Sequence, residues 1–561
     1  MVESEFSKGN LTMQKYLCTT MLTLFLLLFN LFGADTDIHL NSLGFLPGFT
    51  KKATITSECS RFKIVNIQNG KAIFSAEVTG PFFQADVNQN VWIADFSQFK
   101  KKDKFYLEVP EVGRSIDFEI GENVYNTALY TSMRAFYLWR CGTAVEGTHQ
   151  GQRFAHTECH LQDGFLDFLG KKDVIRNGTG GWHDAGDHGK YVVNAGITVG
   201  MLFYAWDHFH DKLKRRSFDL PETAPGYPDL LKELKWEIDW LLKMQVPDSA
   251  GQVSHKLTRL NFSGFIMPED DTEKRYFTDW SSAATADFVA MLAMAARYFK
   301  PFDKTFSDTC LKAAERSYHF LKNHPENKMP NIRAFRTGGY FSRDNDDRLW
   351  AAAEMWETSG EVQYLADFEQ RAGLFENKID RNWDWGNVKN MGMFTYLLSK
   401  RKGKNSALLA DIRKALIAVA DSIVESANTD VYGRTLGGKY YWGCNGTVAR
   451  QVLNLQVANM IAPNKKYVNA ALDAIAHLFG RNYYGRSFVT GLGHNPPMNP
   501  HDRRSGADNI EAPWPGYIVG GGHSAVDWVD EQRSFQTNEV AINWQAALVY
   551  ALAGFVNGSA E

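Results

Sequence analysis

The feature that most constrains the fold is a single change in the period of the hydrophobic residues near Tyr125. Between residues 37 and 120 the apolar and β-branched residues form short alternating runs, which turn signals such as Asn69-Gly70 and Pro81 separate. After Tyr125 apolar residues recur three and four apart up to the C-terminus, as they do on the buried face of a helix. The sequence therefore predicts a small β-domain followed by a large helical domain.

The region after residue 125 contains ten clear helical stretches. They are 128–138, 191–209, 230–244, 283–298, 349–358, 391–399, 407–423, 450–461, 468–479 and 539–555. With one or two weaker stretches they make about a dozen helices, joined by long loops rich in glycine and aromatic residues. Pairs of helices around a closed ring would give so many helices one continuous core.

The region before residue 121 predicts a small β-sandwich. Its clearest strand candidates are 51–57, 61–67, 91–95, 105–109 and 115–120. A length of about 85 residues and the even spacing of the strands suit an immunoglobulin-like module, although the Cys-Trp-Cys pattern of antibody domains is missing. We therefore expect the module to occupy residues 35–121 and the helical domain residues 122–561.

The N-terminus has the features of an export signal. Lys8 and Lys15 precede an apolar run at 17–32, which ends in Gly33-Ala34. We expect cleavage near Ala34, so that residues 1–34 are a signal peptide and the protein is secreted, periplasmic or held at the cell surface. A retained anchor is the alternative, because the run is barely long enough to span a bilayer. No later segment is long and apolar enough, so no membrane contact is expected after cleavage.

Charge and composition favour a neutral ligand. The formal net charge of −3 and a pI near 6.6 give no electrostatic case for a nucleic acid or an anionic membrane as partner. Aromatic residues make up 13% of the chain. Most of them are expected in the core, but Trp182, Trp442, Trp514 and Trp528 stand in stretches that resemble loops, where a flat ring can stack on a ligand.

Two aspartates lie three residues apart in the block 180–191. On a tight turn, or on a first helical turn, the carboxylates of Asp184 and Asp187 would face one side at close quarters. Repulsion between such groups raises one pKa, or lets the pair hold a water, as a general base requires. An isolated pair of this kind is more often a helix N-cap beside a surface turn, so the interpretation needs support from elsewhere.

A second carboxyl candidate lies near the C-terminus. Glu539 follows Asn538 and opens an apolar stretch, so its plainest interpretation is an acidic residue in the first turn of a helix. Crowding by Trp528, Phe535 and Trp544 would instead favour its neutral form and make it a proton donor near neutral pH.

A loop rich in proline, glycine, asparagine and histidine lies between these blocks, at 487–505. It places His501 and Arg503 on the same side of an extended stretch. Donors of this kind suit the hydroxyl groups of a sugar.

The three blocks together resemble glycoside hydrolase family 9. The D-A-G-D of that family stands intact at 184–187, its S-F-V-T-G-x-G…P-H-x-R signature at 487–503, and its [FYW]-x-D-x4-[FYW]-x3-E signature at 528–539. The N-terminal sandwich resembles the module that precedes the catalytic domain in one branch of the family. The resemblance implies a mainly α protein, in which an (α/α)6 barrel with an open cleft follows an immunoglobulin-like β-sandwich.

The resemblance also implies an inverting hydrolase. Asp187 is then expected to act as the general base on a water that Asp184 helps to hold, and Glu539 as the general acid. Inversion needs the base and the acid about 6.5–9.5 Å apart, so that a water fits between them and the sugar.

Further roles are carried over from the same signatures. Asp530 is expected to support the acid, while His501 and Arg503 are expected to bind the sugar next to the scissile bond. One departure is Gln545-Ala546, which stands where the family usually has Asn followed by a small residue. We expect this difference to affect helix packing more than chemistry.

Four residues form a candidate metal site. Cys141 and Cys159 are 18 apart, and His160 and His183 complete a set of thiolate and imidazole groups of the kind that bind tetrahedral zinc. A disulfide between the two cysteines is the competing interpretation for an exported chain. The same branch of the family holds a structural zinc with two Cys and two His, which favours zinc, with His188 as the fallback for His183. Calcium is common in the family, and the acidic loop 269–271 is a possible contributor without assigned ligands.

Three functions remain open at this point. An endo-acting β-1,4-glucanase that cuts a cellulose-like polysaccharide is the leading hypothesis. An exo-acting enzyme of the same family, for example on glucosamine oligomers, is the second, and a non-catalytic carbohydrate-binding protein is the third. The presence of all three carboxylates disfavours the last. We expect the protein to be a monomer.

Overall fold

The computed structural model describes residues 37–221, 226–247 and 249–558. The expected signal peptide at 1–34 lies outside these residues. Among the described helices, none combines the length and the apolar character that a membrane crossing requires.

Nine strands form the N-terminal module. They are β1 (Ile38–His39), β2 (Lys52–Ile55), β3 (Arg61–Asn66), β4 (Ala72–Glu77), β5 (Thr79–Gln84), β6 (Gln89–Asp95), β7 (Asp103–Val109), β8 (Gly113–Arg114) and β9 (Phe118–Ile120). One sheet has the order β1-β2-β6-β5, and the other has β4-β3-β7-β8 with β9 also paired to β7. All the pairs are antiparallel, as expected for an immunoglobulin-like sandwich.

Alternating side chains fill the space between the two sheets. On β7 the side chains of Phe105, Leu107 and Val109 are buried, while the residues between them are partly exposed. Strands β4 and β5 do not stand out in the sequence, because half of the β4 residues and most of the β5 residues are exposed and neither strand has a fully buried side chain. The alternation that predicts a sandwich therefore comes from the strands at its centre.

Fourteen helices follow among the described residues. They are α1 (Asn126–Leu138), α2 (Val192–His208), α3 (His210–Leu213), α4 (Asp229–Met244), α5 (Ser282–Phe299), α6 (Lys304–Asn323), α7 (Asn345–Ser359), α8 (Val362–Leu374), α9 (Lys389–Leu398), α10 (Ser406–Thr429), α11 (Cys444–Ile461), α12 (Lys465–Leu478), α13 (Phe535–Asn538) and α14 (Ile542–Ala553). Short strands lie in the loops of this domain: β10 (Val145–His149), β11 (Gln152–His156), β12 (Lys190–Tyr191), β13 (Lys256–Thr258) and β14 (Tyr276–Phe277).

Twelve of these helices form two concentric rings. Helices α2, α5, α7, α9, α11 and α14 are buried on nearly every side and make the inner ring. Each packs against an outer helix that is buried on one face, and α14 returns to α2. Between α9 and α11 the ring is joined by Asn390 Nδ2 and Asn454 Oδ1, 3.5 Å apart. The arrangement is the expected (α/α)6 barrel.

The two domains are held together by polar contacts around a small apolar cluster. Thr54 Oγ1 donates a hydrogen bond to Val431 O at 2.6 Å, and Arg434 pairs with Asp86 at 2.6 Å. Val91 of the module and Val431 and Tyr432 of the barrel are buried against each other. The sandwich therefore packs directly on the outside of the barrel.

Candidate active site

A cleft opens at one end of the barrel, where five inner helices begin. It encloses a cavity of about 460 Å³. Its lining residues include Asp184, Asp187, Tyr191, Phe262, Tyr340, Asp384, Trp385, Tyr441, Trp442, Glu539, Asn543 and Trp544. Most of these residues lie in loops just before α2, α7, α9, α11 and α14. The N-terminal ends of these helices, which carry partial positive charge, therefore point towards the cleft.

The turn that carries the two aspartates is fixed by backbone contacts. Asp184 N donates to Gly189 O at 3.0 Å, and its carbonyl accepts from Ile542 N at 2.9 Å. Gly186 has no room for a side chain, because a Cβ there would lie 2.2 Å from His501 O. The turn is therefore locked between the start of α14 and the loop that contains His501.

Asp184 is fully enclosed by protein. Its Oδ1 accepts from Asn194 Nδ2 at 2.8 Å, and its Oδ2 accepts from Tyr340 OH at 2.5 Å. Burial and then the charge of Asp187 raise the pKa of Asp184 to about 8, whereas these two hydrogen bonds act in the opposite direction. Asp184 therefore resists ionisation next to the negative charge of Asp187.

Asp187 faces the cleft and is bound on one oxygen. Its Oδ2 accepts hydrogen bonds from Gly189 N at 2.9 Å and from Tyr191 OH at 3.0 Å. Donors of this kind stabilise an ionised carboxylate. The carboxylate of Asp187 is thus held in place by its own turn and by Tyr191 of β12.

Glu539 does not begin a helix, contrary to the sequence-based interpretation. Its backbone is extended, it forms a bridge with His501, and α14 begins only at Ile542. Gly520 N donates to Glu539 O at 2.8 Å. Pairing with two neighbouring segments therefore overrides the local preference for a helix start, and it fixes Glu539 opposite the aspartates.

The surroundings of Glu539 favour its protonated form. Burial, followed by the negative charge of Asp187, raises the pKa of Glu539 well above its ordinary value. The nearby Arg503 opposes this shift. A carboxyl group of this kind can donate a proton at neutral pH.

His501 and Arg503 both contact the aspartate turn at Gly186. His501 Nδ1 lies 2.7 Å from Gln532 O, and its ring packs against Phe265 and Phe535. Arg503 is buried and donates to Gly186 O at 2.7 Å and to Ser263 O at 3.2 Å. Part of the guanidinium is therefore engaged in bracing the aspartate turn.

Asp530 acts on the loop next to Glu539 and not on its carboxyl group directly. Its oxygens accept from Met498 N at 2.8 Å, from Asn499 N at 2.9 Å and from Arg486 Nη2 at 3.0 Å. It also lies 3.3 Å from Asn538 Nδ2. Asp530 can therefore support Glu539 only through Asn538, the residue that precedes Glu539 in the chain.

The four tryptophans that the sequence places in loops have different environments. Trp182, Trp514 and Trp528 are buried, so the platform interpretation is wrong for them. Trp442 is 47% exposed and lines the cleft, where its ring packs edge-on against Phe535. Only the exposed ring of Trp442 offers a free face to a ligand among these four.

The candidate metal residues converge beside the aspartate turn. Cys141, Cys159, His160 and His183 place one ligand atom each within 4.8 Å of one another. Cys141 Sγ lies 3.6 Å from His160 Nδ1, and Cys159 Sγ lies 4.0 Å from His183 Nε2. A tetrahedral zinc with normal bond lengths separates such atoms by about 3.6 Å. Both cysteines are free thiols, so the disulfide alternative is not supported.

His188 belongs to a neighbouring group. Its Nδ1 lies 3.5 Å from Asp271 Oδ2, which is also 3.6 Å from His160 Nε2. Asp271 Oδ1 in turn accepts from Arg259 at 2.7 Å. A carboxylate behind a metal-binding imidazole is the usual arrangement that orients the ring. The same contacts engage Asp271, so calcium binding by the loop 269–271 remains an expectation without assigned ligands.

Sequence reasoning missed the residues that bind the aspartates. Tyr191, Asn194 and Tyr340 supply side-chain donors to them. Tyr191 and Asn194 follow the turn closely, and their positions at the start of α2 could have been noticed. Tyr340 is about 150 residues away and has no sequence signal that relates it to the turn.

Comparison with protein families finds a match for each domain. The description "Glycosyl hydrolase family 9" matches residues 125–552. The description "Cellulase N-terminal ig-like domain" matches residues 34–114. The two matches separate close to the point where strands give way to helices.

Related proteins match over nearly the whole chain. "Endoglucanase D" from Acetivibrio thermocellus is 57% identical over 525 residues, which are 93% of this chain and 84% of the relative. The crystal structure of a metagenome-derived glycoside hydrolase family 9 endoglucanase has a TM-score of 0.86 at 31% identity, covering 93% of this chain and 99% of that one. A zinc-binding triple mutant of another family 9 endoglucanase has a TM-score of 0.85 at 32% identity, covering 92% and 100%.

Proposed function

Because the chain belongs to glycosyl hydrolase family 9, we propose that it hydrolyses internal β-1,4-glucosidic bonds of a cellulose-type polysaccharide with inversion at the anomeric carbon. It is a glycoside hydrolase with the barrel and the immunoglobulin-like module expected from the sequence motifs. The observation that carries the proposal is the convergence of two aspartates and one glutamate in a single aromatic cleft.

The three carboxyl groups divide the chemistry between them. Glu539 donates its proton to the glycosidic oxygen while the bond from that oxygen to the anomeric carbon breaks. Asp187 takes a proton from the attacking water, whose oxygen forms the new bond to the anomeric carbon on the opposite face. Asp184 helps to hold this water. After one turnover the proton gained by Asp187 and the proton lost by Glu539 must be exchanged with solvent.

The electrostatics of the cleft support this assignment. Burial and the charge of Asp187 keep Glu539 protonated, which suits an acid. Asp187 has two hydrogen-bond donors on one oxygen, which suits a base that must be ionised. A carboxyl group with a raised pKa opposite one that accepts two hydrogen bonds is the pattern expected for an acid and a base.

The walls of the cleft suit a neutral sugar chain. Trp385, Trp442 and Trp544 present aromatic surface to the cavity, and Asn543 and Asp384 present polar groups. Flat rings stack on the apolar faces of pyranose units, while polar groups bind the hydroxyls around the ring edges. His501 and Arg503 would bind the sugar beside the scissile bond, and Asp530 would steady the loop that carries the acid.

Zinc would have a structural role beside the catalytic turn. Two thiolates and two imidazoles form a closed tetrahedral set, with no position left for a reacting water. His183 precedes Asp184 directly, so the bound metal would fix the backbone at the start of the turn.

We also propose that the mature chain is exported after removal of residues 1–34, and that it acts as a monomer.

Product analysis tests the proposed activity most simply. An endo-acting enzyme lowers the viscosity of carboxymethyl-cellulose early and releases several oligomers from cellohexaose. Release of one short product from a chain end would favour the exo-acting alternative, and turnover of glucosamine oligomers alone would change the substrate. Binding without any hydrolysis would favour the non-catalytic alternative.

A further inference from the structure

A buried lysine lies behind the aspartate turn without a part in the chemistry described above. Lys256 is the first residue of β13, and Tyr191 on β12 is its direct cross-strand partner. Its side chain is fully buried, and its ammonium lies 5.5 Å from the centre of the Tyr191 ring. A buried amine is costly unless its hydrogen bonds and its charge are compensated.

The ammonium has a complete set of acceptors on one short segment. Lys256 Nζ donates to Gly338 O at 2.7 Å, to Thr337 Oγ1 at 2.9 Å and to Thr337 O at 3.3 Å. Three acceptors match the three N–H groups of a charged lysine, whereas a neutral amine would leave a lone pair against an oxygen. His255, the residue before β13, has its Nε2 2.8 Å from Gly339 O, so two adjacent residues contact successive carbonyls of this segment.

The same segment supplies donors to both aspartates. Tyr340 OH binds Asp184, while Gly338 N donates to Tyr191 OH at 3.2 Å. Tyr191 OH in turn binds Asp187 Oδ2 at 3.0 Å. Lys256 is thus linked to each carboxylate through one short stretch of backbone.

We propose that Lys256 is a positioning residue for the hydrolysis. Its ammonium anchors the segment 337–340, so that Tyr340 and Tyr191 hold Asp184 and Asp187, and its positive charge favours the ionised carboxylate of Asp187. The inference rests on the proposed roles of the two aspartates, but the anchoring itself does not.

The charges around Lys256 agree with this role. Burial lowers the pKa of Lys256 to about 7, and the negative charge of Asp187 acts against that shift. The titratable groups that interact with it are Asp187 on the turn, Tyr191 on β12 and the adjacent His255. Attraction between Lys256 and Asp187 is reciprocal, so loss of the lysine would disfavour the charged carboxylate.

The chain offers a closely matched control on the opposite face of the same sheet. Lys190 is also fully buried, and its ammonium donates to Gly178 O at 2.7 Å and Gly180 O at 2.9 Å and pairs with Asp163 at 2.9 Å. It follows that Lys190→Met removes an equally buried charge without touching the segment 337–340. Comparison with Lys256→Met separates a general loss of stability from a specific effect on the aspartates.

The first test is the dependence of kcat/KM on pH with a soluble cello-oligosaccharide. Activity is lost at low pH when the base is protonated, and a nearby cation keeps it ionised to lower pH. Lys256→Met should therefore move the acidic limb to higher pH by about 0.5–1.5 units, the range expected for loss of one nearby charge in a partly screened site, because Lys256 and Asp187 attract each other. Lys256→Arg keeps the positive charge, so its acidic limb should lie close to that of the parent. Lys190→Met should also leave the limb in place. An acidic limb unmoved in Lys256→Met would overturn the electrostatic part of the proposal.

The second test does not depend on activity. Amide hydrogen exchange of a peptide that contains residues 337–340 should be faster in Lys256→Met than in the parent, and unchanged in Lys190→Met. Equal protection in Lys256→Met and the parent would overturn the anchoring. If the parent cleaves no β-glucan, the proposed function fails, while this measurement still decides whether Lys256 holds the segment.

Discussion

Replacement of Trp442 by alanine should weaken binding of a cello-oligosaccharide about tenfold. The ring is 47% exposed, and a tryptophan side chain offers up to about 250 Å² of surface, which leaves about 120 Å² open. A sugar that stacks on one face covers about half of this area, or about 60 Å². At about 25 cal/mol per Å² the covered area contributes about 1.5 kcal/mol, which is about a tenfold change in Kd.

The Kd of cellopentaose is best measured by calorimetry in a Glu539→Gln background, where turnover is suppressed. KM for the same oligomer should rise in parallel in the otherwise native enzyme. Trp442→Phe should retain most of the affinity, because it keeps a flat ring at the same place. Thermal stability should change little, since the side chain is already half exposed.

Met460 provides a matched control for this experiment. It is also exposed and lies near the end of α11, the helix whose first residue follows Trp442 by two positions. Met460→Ala removes apolar surface about 24 Å from the cleft and should leave Kd unchanged. A Trp442→Ala variant that binds cellopentaose as tightly as the parent would refute the stacking argument.

Three further predictions follow from the site. Glu539→Gln should reduce kcat by about 10²- to 10⁴-fold on substrates with poor leaving groups and much less on activated aryl glycosides, and activity within tenfold of the parent on cello-oligosaccharides would exclude it as the acid. Arg503→Met should move the alkaline limb of kcat to higher pH, because Arg503 favours the ionised form of Glu539 and its loss raises that pKa further; a limb displaced to lower pH would contradict this sign. Metal analysis should find about one zinc per chain, Cys159→Ser should lower both Tm and turnover because the metal stabilises the fold and the turn, and a metal-free, fully active preparation would reject the site.

The barrel could be predicted because its inner helices are unusual in sequence. A helix such as α5 is buried on almost every side, so its apolar content is high along its whole length. The outer helices α6 and α8 are not among the ten clear helical stretches of the sequence. In α6 the buried face includes Ser307, Cys310, Ala314 and Ser317, which are small or polar, so few large apolar residues mark that face in the sequence. These small residues fit the narrow space between α6 and the inner ring. That space depends on the tertiary structure and leaves no pattern in the sequence.

The candidate site was only partly predictable for a different reason. Asp184, Asp187 and Glu539 stand in dense local motifs, so their types and spacing identify them as candidates. Tyr340 binds Asp184 from a distant loop and Lys256 holds that loop from β13, and neither has neighbours in sequence that indicate such a role. Contacts of this kind depend on how the ring closes, and a single sequence does not encode them locally.

Glu539 illustrates how tertiary contacts can override a local signal. Asn538 followed by an acidic residue and an apolar run is a good helix start by local rules. In the structure the backbone of Glu539 is extended and bridges His501, which moves the start of α14 to Ile542. The sequence predicts the helix itself but places its start a few residues too early. The misplaced residues include Glu539, the proposed acid.

The most direct test of the central claim is the configuration of the first product. Proton NMR during early hydrolysis of a β-linked cello-oligosaccharide distinguishes the two anomers before mutarotation mixes them. Direct attack of a water activated by Asp187 predicts that the α-anomer appears first. Initial formation of the β-anomer would mean that a carboxylate attacks the sugar and forms a covalent intermediate, and it would contradict the assignment of Asp187 as a general base.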